Sequence, residues 1–340
     1  MSSDVSALER LNADVAALTR RNDWRYRLSS LRYRVRRRVS GITAPRRKVR
    51  KVFVTFAAGP RYDTRYIVED VRRLNLFDKI YGLGPQDLGE AFWARHGAFV
   101  RAHASDEDAR GYGFWVWRAF IIQRCLRGMR DDDILVYSDA GAIVMPEDGV
   151  RARLEAHFRD IQQWPVGLGA GFGDVDSRTR CKADVFAALG VTEEKEKALF
   201  QYQGGRLICR KHPAAMRIID LWARLAWERH YHLFDNSPSR LPNHPTFKGH
   251  RHDQAILSIL MHRYGARLWR QSVFWRARLI KKIASAALAG APLKIPLSML
   301  QQEANLPEAQ NRHKAMYRQW VERFLQAEKR GEIQEPRQTS

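Results

Sequence analysis

The sequence predicts an α/β fold, a mostly parallel sheet covered by helices, and three observations predict it. Short apolar runs of strand length alternate with segments of helical period between residues 51 and 265. The strongest of these runs, Asp133-Ile-Leu-Val-Tyr137, stops at Ser138-Asp139-Ala-Gly141, an acid followed by small residues where open sheets expose the carboxyl ends of their strands. The 340 residues are 45% hydrophobic, enough for a sizeable core.

In chain order, residues 4–20 carry Val5, Leu8, Leu11, Val15 and Leu18 in helical steps, which also fit a short coiled coil and a dimer. Residues 24–39 place Trp24, Leu28, Leu31, Val35 and Val39 on one helical face with arginines on the others. That pattern fits a basic amphipathic helix on an anionic membrane, or a helix packed on the globular domain. A break is expected from Gly41 to Pro45. Strands are expected at 52–56, 80–83, 133–137 and 202–209, and helices at 64–75, 115–129, 151–163, 212–229 and 253–264. Three domains follow: a basic helical N-terminal extension (1–48), a globular α/β domain (49–270) and a basic, mostly helical C-terminal extension (271–340).

The net charge of +22 is concentrated. Thirteen basic residues and one acid lie between Arg21 and Lys51. Such charge belongs to solvated tails or to a phosphate-bearing partner: anionic lipid, nucleic acid or a nucleotide-sugar. No nucleic-acid motif is recognisable, so nucleic acid is not the expected partner. No signal peptide is visible, and three scattered cysteines (Cys125, Cys181, Cys209) read as reduced thiols. The expected location is therefore cytoplasmic, peripheral on the inner face of the membrane if the basic helix binds lipid.

Four segments carry candidate chemistry. Asp139 ends the strongest strand, where a carboxylate can hold a cation or a sugar hydroxyl, unless it merely caps the turn. Gly111-Tyr-Gly-Phe-Trp-Val-Trp-Arg118 brings an arginine fork suited to a diphosphate into the first turns of a helix. Gln201-Tyr-Gln203-Gly204-Gly205 precedes a strand with paired glycines that permit close approach. Lys248-Gly-His250-Arg251-His252-Asp253-Gln254 opens a helix and is too polar for capping alone.

Together these segments resemble the GT-A glycosyltransferases, especially family 8 and related bacterial polysaccharide enzymes. Tyr137-Ser-Asp-Ala-Gly141 resembles the strand ending in Asp-x-Asp, with Gly141 where the second acid would stand. Tyr202-Gln-Gly-Gly205 resembles the Phe-Asn-Ala-Gly stretch, and Asp253-Gln254 the Asp-Gln helix start. Gly111 to Arg118 resembles a Gly-Tyr-Gly-Tyr-Trp-x-Trp-Lys run of a bacterial group, to which the segment of Lys182 and Asp184 is also similar. The resemblance implies a GT-A fold, a Rossmann-like mixed sheet with flanking helices, and transfer of a hexose from a nucleoside diphosphate-sugar to a glycan or glycolipid in surface polysaccharide synthesis. It implies that Thr55, Arg118, Gln203, Gly204, Gly205 and Arg251 bind the donor. Asp139, Asp253 and Gln254 would act at the reacting sugar, with retention of configuration as the default.

The leaving diphosphate needs positive charge. A divalent Mn²⁺ or Mg²⁺ held by Asp139, the donor phosphates and His250 or His252 supplies it in one arrangement. Lys248, Arg251 and Arg118 supply it directly in the other. Two rival readings are a non-catalytic basic protein that binds nucleic acid or anionic membrane, and a sugar-nucleotide pyrophosphorylase. The second lacks its glycine-rich loop after the first strand.

Overall fold

The computed structural model describes residues 2–43, 48–58, 63–104, 111–144, 149–269 and 274–276, with two isolated positions beyond. The expected C-terminal helices lie outside them. The elements begin with α1 (Ser2–Thr43), β1 (Lys51–Phe56), α2 (Arg65–Arg73), β2 (Lys79–Leu83) and α3 (Glu90–Ala102). Next come a one-turn α4 (Gly111–Phe114), α5 (Val116–Arg127), β3 (Ile134–Ser138), β4 (Ala142–Val144), α6 (Val150–Gln163) and β5 (Leu168–Asp176). Three short helices follow, α7 (Ser177–Arg180), α8 (Ala183–Ala188) and α9 (Glu194–Lys197). The series closes with β6 (Phe200–Arg210), α10 (Pro213–Trp227), α11 (His252–Arg263), β7 (Arg267–Trp269) and β8 (Phe274–Arg276). Among the described residues the strands pair in the order β2-β1-β3-β6-β5-β7, with β4 and β8 as a separate antiparallel pair. The α/β class expected from the sequence is the observed one. The sheet is mixed: β5 runs antiparallel to β6 and parallel to β7.

Two compact units divide the chain. The first comprises Met1–Val52, Pro85–Tyr137 and Phe158–Gln271. Its core is aliphatic and aromatic, with Trp222, Leu225, Ile218 and Leu221 of α10 fully buried against α5 and α11, and α11 lying on β6. Three glycines of β5 make room for its neighbours. A Cβ at Gly169 would lie 2.4 Å from the Trp269 ring, and one at Gly171 would lie 2.6 Å from the Gln203 amide oxygen. At Gly173 it would lie 2.1 Å from the Gln201 carbonyl oxygen.

Helix α1 runs unbroken through the two segments expected as separate helices, and continues past Gly41 to Thr43. Leu8, Leu11, Val15 and Leu18 are buried at 8% exposure or less, and α1 packs on α10 and α8. The apolar stripe expected to dimerise the chain is therefore buried within the chain itself, where α1 packs on α10 and α8. Each such side chain contributes about 1.5–3 kcal/mol.

The second unit comprises Phe53–Gly84, Ser138–His157 and Ser272–Ser340. Here α2 buries Ile67 and Val71 and packs on β2 and β4. Gly82 of β2 permits this, since a Cβ there would lie 2.6 Å from the Thr64 hydroxyl.

Candidate active site

In the first unit, segments far apart in sequence converge on the start of α11. The Arg118 guanidinium lies 2.5 Å from the Asp253 carboxylate, with both side chains at 4% exposure or less. The rings of Trp115, Trp117 and Tyr137 surround it at 5.4, 5.7 and 5.9 Å. An isolated charge in such a place costs several kcal/mol, so each group is tolerable because the other is there. The Gln254 amide donates to Gln201 Oε1 at 3.1 Å. Ser258 Oγ donates to the Gln254 carbonyl and accepts from the Tyr202 amide.

These contacts bear on five of the residues expected at the site. Arg118 and Asp253 were expected on the diphosphate and on sugar hydroxyls; in the structure they neutralise each other in the interior. Gln254 is 7% exposed and bonded to Gln201. Gly204 permits a close approach, but of α11: a Cβ there would lie 3.0 Å from the Gln254 Cβ. Gly205 is buried as well. Gln203 and Arg251 keep partial exposure, with Gln203 Oε1 accepting from Arg206 at 3.1 Å.

The turn before Arg118 has a feature the sequence gives little sign of. Gly111, Tyr112, Gly113, Phe114 and Trp115 all have positive φ, from 54° to 81°. Three of them are not glycine, and a left-handed conformation costs each about 1–2 kcal/mol. Gly113 sits against backbone, its missing Cβ 3.1 Å from Val100 Cα. His252, at the first position of α11, has φ 51°, and its ring lies 4.9 Å from Phe114 and 5.6 Å from Trp115. Two strained segments thus brace one another beside the buried ion pair. Strain of this kind collects at functional sites.

Lys182 and Asp184 are anchors of the 230–243 segment. Lys182 Nζ is 3% exposed and donates to the His232 carbonyl, Asp235 and Ser237 at 2.9–3.2 Å. Asp184 is fully buried, bonded to His232 and to the backbone amides of Arg240 and Leu241. Burial alone would raise its pKa; the His232 bond and those two amides outweigh it and hold the carboxyl down to about 2.

The metal reading does not fit His250. His250 Nε2 lies 2.9 Å from the Leu233 carbonyl, which can only accept, so that nitrogen carries the proton. His250 Nδ1 accepts from the Lys182 amide, so both ring nitrogens are engaged. Burial pushes this ring's pKa down to about 3, with His252 beside it acting the same way. His252 Nδ1 likewise donates to the Phe234 carbonyl at 2.6 Å. Among the described residues no three His, Cys, Asp or Glu side chains group to hold an ion. His250 is thereby removed from the expected ligand set, and Asp139 with His252 stays an expectation.

The second unit holds Thr55 and Asp139. Thr55 lies near the end of β1 and Ser138 ends β3, the neighbouring strand. Both are completely buried, and neither hydroxyl finds a hydrogen-bond partner among the described residues. Asp139 follows at once, partly exposed, in a turn closed by the Ala142 amide on its carbonyl. Buried polar groups are nearly always bonded, so these two hydroxyls are exceptions, and they stand at strand ends of the kind beyond which open sheets bind ligands.

No protein-family model and no curated protein matches the chain. Among solved structures, the apo form of mouse xyloside xylosyltransferase 1 overlaps it with a TM-score of 0.36 at 11% identity, over 66% of this chain and 86% of that one. The glycosyltransferase GlyE of Streptococcus pneumoniae TIGR4 overlaps with a TM-score of 0.31 at 12% identity, over 86% of this chain and 66% of that one. Likeness this low carries no functional argument, and the function must be read from the chain's own residues.

Proposed function

We propose that the chain is a glycosyltransferase that moves a sugar from a nucleoside diphosphate-sugar to a glycan or glycolipid hydroxyl, in surface polysaccharide synthesis. The observation that supports it best is the pair of orphaned hydroxyls, Thr55 and Ser138, at the carboxyl ends of neighbouring strands with Asp139 next in the chain. Ligands of open α/β sheets bind beyond those ends. In this reading the hydroxyls meet polar atoms of the nucleotide, and the Asp139 carboxylate orients a sugar or ribose hydroxyl. The Arg118–Asp253 pair holds α11 in place rather than touching the donor.

The test uses the full chain with a panel of nucleoside diphosphates and their sugar conjugates. A nucleoside diphosphate should raise the melting temperature by mass action, and Thr55→Val and Ser138→Ala should each weaken that binding about tenfold. Asp139→Asn should abolish release of nucleoside diphosphate from the conjugate while leaving the melting curve unchanged. A chain stabilised by duplex DNA and by no nucleotide would overturn the reading in favour of the non-catalytic alternative.

A further inference from the structure

The second half of α1 is amphipathic in an inverted sense. Its polar face points into the protein. Asn22 donates to the Arg217 carbonyl at 2.7 Å, and Asp23 pairs with the Arg217 side chain at 2.7 Å. Tyr33 is buried at 8% exposure with its hydroxyl donating to Asp132 at 2.7 Å. The opposite face carries apolar residues outward: Trp24 is 66% exposed, Leu31 52%, Val35 54% and Val39 58%. At about 100° per residue these four lie within an arc of about 80°. Arg27, Arg34 and Arg38 form a row along one flank of that arc, and Arg25 and Arg32 along the other, all exposed. Arg25 and Arg32 also line a cleft of about 310 Å³ between α1 and α10, together with Lys211 and Arg217.

An aromatic and three aliphatic side chains held out in water between two rows of arginine are costly unless something covers them. The cover has to be apolar along its middle and negatively charged on both sides. We infer that residues 24–39 dock on an anionic lipid bilayer, with Trp24, Leu31, Val35 and Val39 in the interfacial layer and phosphate headgroups on the flanking arginines. A charged polymer such as nucleic acid would satisfy the arginines but not the apolar stripe. A second copy of the chain would bring its own arginines against these. Among the described residues no helix is long and apolar enough to cross a membrane, so the association is peripheral.

Removing α1 would uncover the core that Leu11, Val15 and Leu18 close, so the test uses point variants of the full chain. Binding is measured by sedimentation with vesicles of neutral phosphatidylcholine alone or with 30 mol% phosphatidylglycerol, a composition chosen as roughly that of an anionic leaflet. Wild type should bind the anionic vesicles and release as salt rises from about 0.1 M to 1 M, where screening shortens from about 10 Å to about 3 Å. The triple change Arg27→Gln, Arg34→Gln, Arg38→Gln should weaken binding about a hundredfold, roughly fivefold for each charge removed. The triple change Trp24→Ser, Leu31→Ser, Val35→Ser should weaken it at least tenfold, with the melting temperature of both variants unchanged because these side chains are exposed. Equal binding of wild type to neutral and anionic vesicles would overturn the inference. So would a stripe variant that binds like wild type, or one whose only change is loss of a dimer or of DNA binding.

Discussion

A buried hydroxyl without a partner costs about 1–3 kcal/mol, and among the described residues Thr55 and Ser138 each carry one. Thr55→Val keeps the shape and removes the orphan. It is expected to raise stability by about 1 kcal/mol in urea unfolding without added nucleotide, while lowering nucleotide affinity. A loss of stability would show that the hydroxyl serves the fold. The buried Arg118–Asp253 pair behaves in the opposite way. Arg118→Met or Asp253→Leu alone strands a charge in the interior and should cost about 3–5 kcal/mol. The double variant should recover most of that loss, because both desolvation penalties disappear together. Double-mutant unfolding measures the coupling directly.

At the level of elements, the left-handed turn at Gly111–Phe114 depends on its glycines. Gly113→Ala puts a Cβ 3.1 Å from backbone at φ 81°, and Gly111→Ala puts one 2.1 Å from the Trp115 ring at φ 73°. Each is expected to destabilise by more than about 2 kcal/mol, well above the roughly 1 kcal/mol typical of point changes. Comparison of thermal midpoints with that of Gly190→Ala provides a control, since Gly190 also has positive φ but a Cβ there meets nothing within 4 Å. Helix α1 is equally testable as part of the core: Leu18→Ala, at 5% exposure, should cost about 2–5 kcal/mol. A merely solvated basic tail would tolerate it within about 0.5 kcal/mol.

Across the whole molecule, buried titratable groups set the response to acid. Burial, reinforced by the charges of Arg95 and Arg229, pushes His96 down to about 4, and His250 stands at about 3. Both stay neutral in the fold while the unfolded chain takes up protons below about pH 6.5, so stability falls as pH drops from there toward 4. His96 alone accounts for about 3 kcal/mol by pH 4. Asp184 acts lower: its depressed pKa contributes stability that is full above about pH 4 and lost as pH falls toward 2. Urea midpoints measured from pH 7 to pH 3 should therefore fall in two stages. His250→Gln should flatten the upper stage and leave the lower one, and a fall confined to pH below 4 would contradict the neutral buried histidines.

By itself the sequence determined the α/β class, the core strands β1, β3 and β6, and the ends of α5, α6, α10 and α11 to within about two residues, because each buries a continuous run or a helical stripe. The end of β3 before Asp139 is likewise legible in its own letters, whereas Thr55 is named by the family resemblance alone. Strand β5 escaped it: in Leu168-Gly-Ala-Gly-Phe-Gly173 three residues of six are glycine, which strands disfavour, and those glycines answer to Trp269, Gln203 and the Gln201 backbone, partners distant in the chain. Only the tertiary structure decided that Arg118 faces Asp253, that Lys182 and Asp184 anchor a loop, and that the first stripe of α1 is buried while the second is exposed. The two stripes have the same period and nearly the same composition of apolar residues. What separates them is what lies opposite: α1 packs on α10 and α8 and buries Leu11, Val15 and Leu18, Arg217 of α10 bonds the reverse face at Asn22 and Asp23, and burial depends on those neighbours rather than on local sequence.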